Sequence, residues 1–417
     1  MLETPAAAGN RWRDPDVKDA LHLCLACKGC KGDCPVRVDM ATYKAEFLSH
    51  YYQGRLRPRA AYAMGLIQVW ARLAAHAPGP VNAVARAPVL SRLVKSAAGI
   101  APERSLPRFA PQTFKEWFAR RTPRNPQGPP VILWPDTFND HFAPEVAVAA
   151  TEVLESAGFQ VRVPRPWLCC GRPLYDYGML DTARRYLRRV LEVAGEDIRA
   201  GVPLVGLEPS CVAVFRDELR EMLPQDQDAL RLSAQTFTLG ELLVERAPAW
   251  QAPRLERRAL VQVHCHHGAV MEFDAERELL RRMGVDAEVP DSGCCGMAGS
   301  FGYEQGDRYQ VSMACGERAL LPKVRRAGRD TLILADGFSC REQIAQTTDR
   351  RPLHLAQAIR LAMDPPDPRF AADYPERSIP AHSDGHGRRS MAVMTAGAGL
   401  LLAGCAVTAR WLRRSSR

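Results

Sequence analysis

With 417 residues, 46% of them hydrophobic, the chain has the composition of an ordinary globular protein and room for two or three domains with sizeable cores. The net charge of +9 comes from arginines scattered along the whole chain. That distribution disfavours nucleic-acid binding and leaves a solvated basic surface or a docking face for an acidic partner or an anionic membrane. Thirteen cysteines fall mainly in CxxC and CC groups with no apolar leader before them, which excludes a disulfide framework and predicts a reducing, cytoplasmic setting.

Residues 1 to 20 read as a polar lead, with VKDALHL beginning a short helix. The stretch CLACKGCKGDCP follows, placing Cys24, Cys27, Cys30 and Cys34 in the spacing C-x2-C-x2-C-x3-C closed by Pro35. So many thiols in so short a run, turning through Ala26, Gly29 and Gly32, suit a 4Fe-4S cluster, which takes thiolates from several directions. Lys28 and Lys31 set cations beside an anionic cluster. A structural zinc site is the alternative at this spacing. In two-cluster ferredoxins the fourth cysteine of such a run serves the other cluster, and the chain reads as having no second run. Either Cys34 closes a single cluster on its own loop, or further ligands come from outside the chain.

Beyond Pro35, Met40, Tyr43, Phe47 and Tyr51 stand near helical spacing, with Asp39 as the expected cap. From His76 to Pro130 the chain is rich in alanine, proline and arginine, with helical pieces in PVLSRLVKSAAG and TFKEWFARR, and reads as a connection.

The pattern then changes. The strand VILW leads to a helix in APEVAVAATEVLESAG, a strand VRVP, the loop LCCGRPL, a long helix near 178–194 and a strand PLVGLEPSC. The order recurs as ALVQVHC, a helix from Glu276 to Met283, DAEV, the loop SGCCGMAG, a long helix near 303–326 and TLILADGFSC. Strands alternating with helices predict mainly parallel sheets covered by helices, and the recurrence predicts two copies of one unit. Their cysteines sit at strand ends, where open parallel sheets place their sites.

The second copy offers Cys265, Cys294, Cys295 and Cys340, with Gly293 and Gly296 flanking the paired thiols. The first offers Cys169, Cys170 and Cys211, with Asp136 standing where Cys265 stands and Glu208 as another oxygen donor; it reads as degenerate, its thiols either a working metal centre or core packing. His264, His266 and His267 surround Cys265, and a supporting role behind the metal ligands is expected of them. Cys315 is read as core.

The expected fold class is therefore α/β: a helical ferredoxin-like segment over 1–75, a connection over 76–130, cysteine-rich units over 131–250 and 251–362, a linker over 363–390 and an apolar tail with a basic end over 391–417. The uncharged stretch 391–409 is just long enough to span a bilayer, and a membrane anchor, a helix packed on a partner and an unstructured appendage all stay open.

CLACKGCKGDCPVRVDMATYKAEF, the two CCG loops, EPSC and DGFSC together resemble the iron-sulfur portion of FAD-dependent D-2-hydroxyacid dehydrogenases, from about Arg11 to Ala362. That group includes the glycolate oxidase iron-sulfur subunit and fused D-lactate or D-2-hydroxyglutarate dehydrogenases. The resemblance implies 4Fe-4S clusters here and a flavin half elsewhere, since no dinucleotide-type glycine loop stands in this chain. It implies as partners a separate FAD-binding dehydrogenase subunit, with the loop's cluster completed across their interface, and a quinone or soluble acceptor.

The CCG loops also resemble the catalytic subunit of heterodisulfide reductases, in which each repeat uses five cysteines. Asp136, Glu208 and Gly337 depart from that pattern, which puts disulfide chemistry in doubt. The substrate and any catalytic residue are not legible in this sequence.

Overall fold

The computed structural model describes residues 11–363 and 373–378. Short helices frame the cysteine loop: Pro15–Ala20 precedes it, Gly29–Asp33 lies within it, and Met40–Tyr51 follows it. Asp39 caps the last as expected, its carboxylate accepting from the amides of Ala41 and Thr42 at 3.0 and 3.1 Å. Helices Arg59–Gly65 and Ile67–Ala74 complete this segment. The connection is itself helical over Pro78–Arg86, Pro88–Ala98 and Phe114–Arg120, the last closed by a capping box between Thr113 and Glu116.

Two parallel sheets follow. The first comprises β1 (Pro130–Leu133), β2 (Gln160–Arg162), β3 (Leu204–Val205) and β4 (Thr236–Phe237), in the order β2-β1-β3-β4. The second comprises β5 (Arg258–Gln262), β6 (Asp286–Glu288) and β7 (Leu332–Ala335), in the order β6-β5-β7. A parallel bridge from Leu334 to Leu353 adds the counterpart of β4. The internal repeat is thus a repeat of topology.

The side-chain period of two decides how these sheets are buried. Val131 and Leu133 of β1, Ala259 and Val261 of β5, and Leu332 and Leu334 of β7 enter one shared core. On the opposite faces, Ile132 and Trp134 pack with Leu187 and Ile198, while Leu260 and Ile333 pack with Leu321 and Val324. β1, β5 and β7 are buried on both faces, which is why they read as continuous apolar runs, whereas the edge strand β6 is largely exposed. The two units share a core rather than standing as separate beads.

Several sequence boundaries shift. β3 is only two residues long, because Glu208 caps a helix, Pro209–Ala213, that starts sooner than PLVGLEPSC suggests. The helix expected near 303–326 breaks at Ala319 into Asp307–Arg318 and Leu320–Arg326. The short β4 is missed by a pattern search because two residues carry no period.

Part of the expected linker is packed as a turn, Pro375–Ser378, where Glu376 meets the buried Arg350 guanidinium at 2.6 Å. A buried guanidinium needs that partner. The tail 391–409 lies outside the described residues, and among those described no helix is long and apolar enough to cross a membrane.

Candidate functional site

The cysteine loop is held against both units. Lys28 is buried, and its ammonium reaches Asp39 at 2.7 Å, Asp217 at 2.7 Å and Glu218 at 3.1 Å. Asp217 and Glu218 are neighbours in sequence, yet both reach it because the helix is locally a π-turn over Val214–Glu218. Lys31 reaches Asp217 at 2.6 Å. These lysines are thus not free cations beside a cluster, as their sequence position suggests. Burial of an ammonium requires compensating carboxylates, and the first unit supplies them.

Residues 26 and 28 adopt positive φ, 55° at Ala26 and 60° at Lys28, so the backbone is strained on both sides of Cys27. The Ala26 carbonyl accepts from His266 Nε2 at 2.9 Å and from the Arg172 guanidinium at 3.3 Å. Arg172 is itself paired with Glu218 and with Asp176. The Cys30 sulfur accepts from the Met40 amide at 3.4 Å. Backbone N–H groups of Val38 and Val36 lower the Cys34 thiol.

In the second unit, Cys265 opens the helix Cys265–Val270, Cys294 and Cys295 lie on the loop after β6, and Cys340 lies in the first turn of Phe338–Thr347. The structure brings all four together. They lie within electrostatic reach of one another, Cys294 beside Cys265 and Cys295, and Cys295 beside Cys340. Cys295 and Cys340 are buried, while Cys265 and Cys294 are partly exposed.

The bend after the pair belongs to Gly296, at φ 87°, where a Cβ would stand 2.0 Å from the Ser312 carbonyl oxygen. Its amide donates to the Cys294 sulfur at 3.4 Å. Cys315, read as core, is only partly buried and lies within electrostatic reach of Cys27 and Cys295. It sits on the Ser312 side of the same bend, where Gly296 leaves room for it.

The histidines divide their work. His264 caps the Cys265–Val270 helix, with Nδ1 accepting from the His266 amide at 3.2 Å, and burial lowers it to about 4. His266 reaches the cysteine loop, and burial holds it neutral. Burial lowers His267, but the buried Glu276 carboxylate 3.3 Å away outweighs it and raises the imidazole. His264 thus holds the helix start at Cys265, His266 holds the cysteine loop, and His267 is turned to Glu276.

In the first unit, Cys170 lies 3.0 Å from Cys211, with Cys169 next to it in sequence, and all three are buried. Gly171, at φ 84°, repeats the bend of Gly296 and donates to the Cys169 sulfur at 3.4 Å. The helix starts correct one equivalence. Asp136 caps Thr137–His141 as His264 caps Cys265–Val270, so Thr137 occupies the place of Cys265. Thr137 lies beside Cys169 as Cys265 lies beside Cys294.

Asp136 and Glu208 are helix caps rather than free oxygen donors. Asp136 accepts from the amides of Phe138 and Asn139 at 3.0 Å and from the Asn139 side chain at 2.8 Å. Glu208 accepts from Ser210 and, across the unit boundary, from the Phe338 amide at 2.8 Å. Burial, then Glu208, pushes Asp136 up to about 7, and burial also raises Glu208.

The donors of the loop and of the second unit are all thiols, several of them backed by amide N–H groups, which fits the soft ligand set of iron-sulfur clusters. No three His, Cys, Asp or Glu side chains among the described residues are disposed to hold a metal ion, so the fit rests on donor chemistry. Sequence reasoning missed Thr137 and the carboxylates around Lys28. Aligning helix starts instead of cysteine intervals finds the former; no local signal marks the latter.

Comparison with known proteins bears on this arrangement. Residues 136–216 match the CCG cysteine-rich domain. The chain is 28% identical over 360 residues to D-2-hydroxyglutarate dehydrogenase of Pseudomonas putida, covering 82% of this chain and 34% of that protein. It therefore spans about a third of the length of that relative. It is 28% identical over 288 residues to one of the subunits of the anaerobic glycerol-3-phosphate dehydrogenase of Escherichia coli, covering 67% of this chain and 72% of that relative. It is 28% identical over 237 residues to lactate utilization protein A of Bacillus licheniformis, covering 53% of this chain and 94% of that protein.

Proposed function

We propose that the chain is the iron-sulfur electron-transfer component of an oxidoreductase whose flavin site is on a separate subunit, acting on a D-2-hydroxyacid such as D-lactate, glycolate or D-2-hydroxyglutarate. The observation that carries this reading is the seating of the Cys24–Cys34 loop on the helix that Cys265 opens, where His266 Nε2 donates to the Ala26 carbonyl at 2.9 Å. The relatives are named for dehydrogenation and lactate utilization, which favours electron transfer over disulfide cleavage.

Iron-sulfur groups would supply one-electron acceptance and release. The chain's own residues set the surroundings. Cys24, Cys27, Cys30 and Cys34 are all partly exposed on the loop, where a partner can approach, and Cys295 and Cys340 are buried. Lys28 with its carboxylates fixes the loop, and His266 ties it to the second unit. Electrons would pass from the flavoprotein to the loop, through the second unit, and on to a quinone or a soluble acceptor.

The test is anaerobic purification with iron and acid-labile sulfide assays, followed by addition of a flavoprotein dehydrogenase and its D-2-hydroxyacid. Iron with matching sulfide, and bleaching of the cluster absorbance on adding substrate, are expected. Zinc without sulfide would overturn the reading.

A further inference from the structure

The helix Pro88–Ala98 carries its apolar face outward. Leu93 stands four residues from Val89 and three from Leu90, so the three share one side of the helix. That side points to solvent: Val89 is 68% exposed, Leu90 45% and Leu93 62%. Ala97, one turn further on, is exposed as well. The side chain that this helix buries is instead the polar Ser91. An exposed apolar stripe marks a surface that another body covers.

The stripe is built into the fold. The preceding helix, Pro78–Arg86, packs against it and is pinned by Asn82, whose side-chain amide donates to the Phe109 carbonyl at 2.8 Å and accepts from the Phe109 N–H at 2.9 Å. Beyond the helix the chain passes directly onto the second unit. The Ala101 amide donates to the Tyr303 carbonyl at 2.8 Å, and the buried Arg104 donates to the Gly302 carbonyl at 2.8 Å and to Ser312 Oγ at 3.0 Å.

Charge decides what covers the stripe. From Phe47 to Pro102 the chain has no aspartate or glutamate, while Arg86, Arg92 and Lys95 lie on the two helices. Arg86 and Arg92 are exposed, and neither guanidinium has an ion-pair or hydrogen-bond partner among the described residues. Exposed valine and leucine between unpaired arginines match the headgroup layer of an anionic bilayer. A second copy of the same face would set arginine against arginine.

We infer that the outward face of Pro88–Ala98 docks the chain on a membrane that carries anionic lipid, with Val89, Leu90 and Leu93 among the acyl chains and Arg86 and Arg92 at the phosphates. The contact lies in the surface layer and requires no spanning helix. It stands independently of the iron-sulfur reading. Taken with that reading, the ties to Gly302 and Tyr303 set the second unit, the exit end of the electron path, beside the bilayer in which a quinone dissolves.

Co-sedimentation of the full chain with vesicles tests it, using phosphatidylcholine alone and phosphatidylcholine mixed with phosphatidylglycerol. Binding to the mixed vesicles is expected, weakened about tenfold in Val89→Ser/Leu93→Ser and about tenfold in Arg86→Glu/Arg92→Glu, with circular dichroism and iron content unchanged. The same charge change at Arg188 and Arg326, exposed on other helices, should have a smaller effect. Equal weakening by Arg188→Glu/Arg326→Glu, no weakening by Val89→Ser/Leu93→Ser, or no binding of wild type to the mixed vesicles would overturn the inference.

Photolysis identifies the occupant. With benzoylphenylalanine in place of Leu93, the label should pass to lipid; cross-linking to residues 391–409 of the same chain, or to a second copy, would overturn the inference. Metal and sulfide measured on the same samples keep the two readings apart. Vesicle binding absent with iron and sulfide present defeats the docking face alone, whereas zinc without sulfide defeats the electron-transfer reading and leaves the docking face standing.

Discussion

The first and second units have the same parallel topology, the same paired cysteines after the second strand, and the same left-handed glycine after the pair, at Gly171 and Gly296. They differ at the helix starts. The first presents Asp136, Thr137 and Glu208 where the second presents His264, Cys265 and Gly337. Carboxylates there cap helices and bind across the unit boundary, as Glu208 does to the Phe338 amide. Thiols there face one another. One scaffold thus carries helix-capping carboxylates in one copy and thiols in the other, by changes at a few helix N-termini.

That contrast can be broken most forcefully at the paired cysteines. Cys294→Ser should lower iron and sulfide by one centre's worth per chain, whereas Cys170→Ser should leave both unchanged. Equal losses from the two variants would make the units alike.

The next effect concerns what the first unit does instead. Lys28→Met leaves Asp39, Asp217 and Glu218 without their central cation and should destabilise the fold by about 3 kcal/mol in urea unfolding. Lys31→Met, nearer the rim, should cost under about 1 kcal/mol.

A third effect is pH dependence. Asp136 has its folded value raised from 3.8 to about 7 by burial and Glu208, so the folded chain keeps a proton that the unfolded chain releases. Its contribution is complete below about pH 4 and is lost as pH rises through about 7, with a steepest slope of about 1.4 kcal/mol per pH unit. Asp136→Asn retains an acceptor for the helix amides and removes the titration. The stability of metal-free wild type relative to this variant should therefore fall between about pH 4 and pH 7, and a flat difference would show that Asp136 does not titrate there. Smallest is the gain from Thr137→Cys, which restores a fourth thiol beside Cys169, Cys170 and Cys211 and should add partial metal occupancy to the first unit, measured as metal per chain.

Much of this contrast is legible in the sequence. Runs such as VILW and TLILA announce buried parallel strands because both faces are covered, and CCG announces a bend because only glycine tolerates the backbone that follows the pair. The repeat itself follows from element order.

What the sequence conceals is mostly long-range. Nothing near Lys28 announces that Asp217 and Glu218, far along the chain, neutralise it, and nothing in CLACKGC announces that His266 holds the Ala26 carbonyl. The mismatch of Asp136 with Cys265 has a simpler origin: intervals between cysteines shift with loop length, whereas helix caps keep their register to the strand they follow.

The measurement that bears most directly on the chain's chemistry is iron and acid-labile sulfide per chain in anaerobically purified wild type beside Cys294→Ser. Iron and sulfide in matching amounts, falling in the variant by one centre's worth while Cys170→Ser keeps the wild-type amount, is the expected result. Iron and sulfide absent from wild type, or unchanged by Cys294→Ser, would contradict a metal centre built on the second unit's thiols.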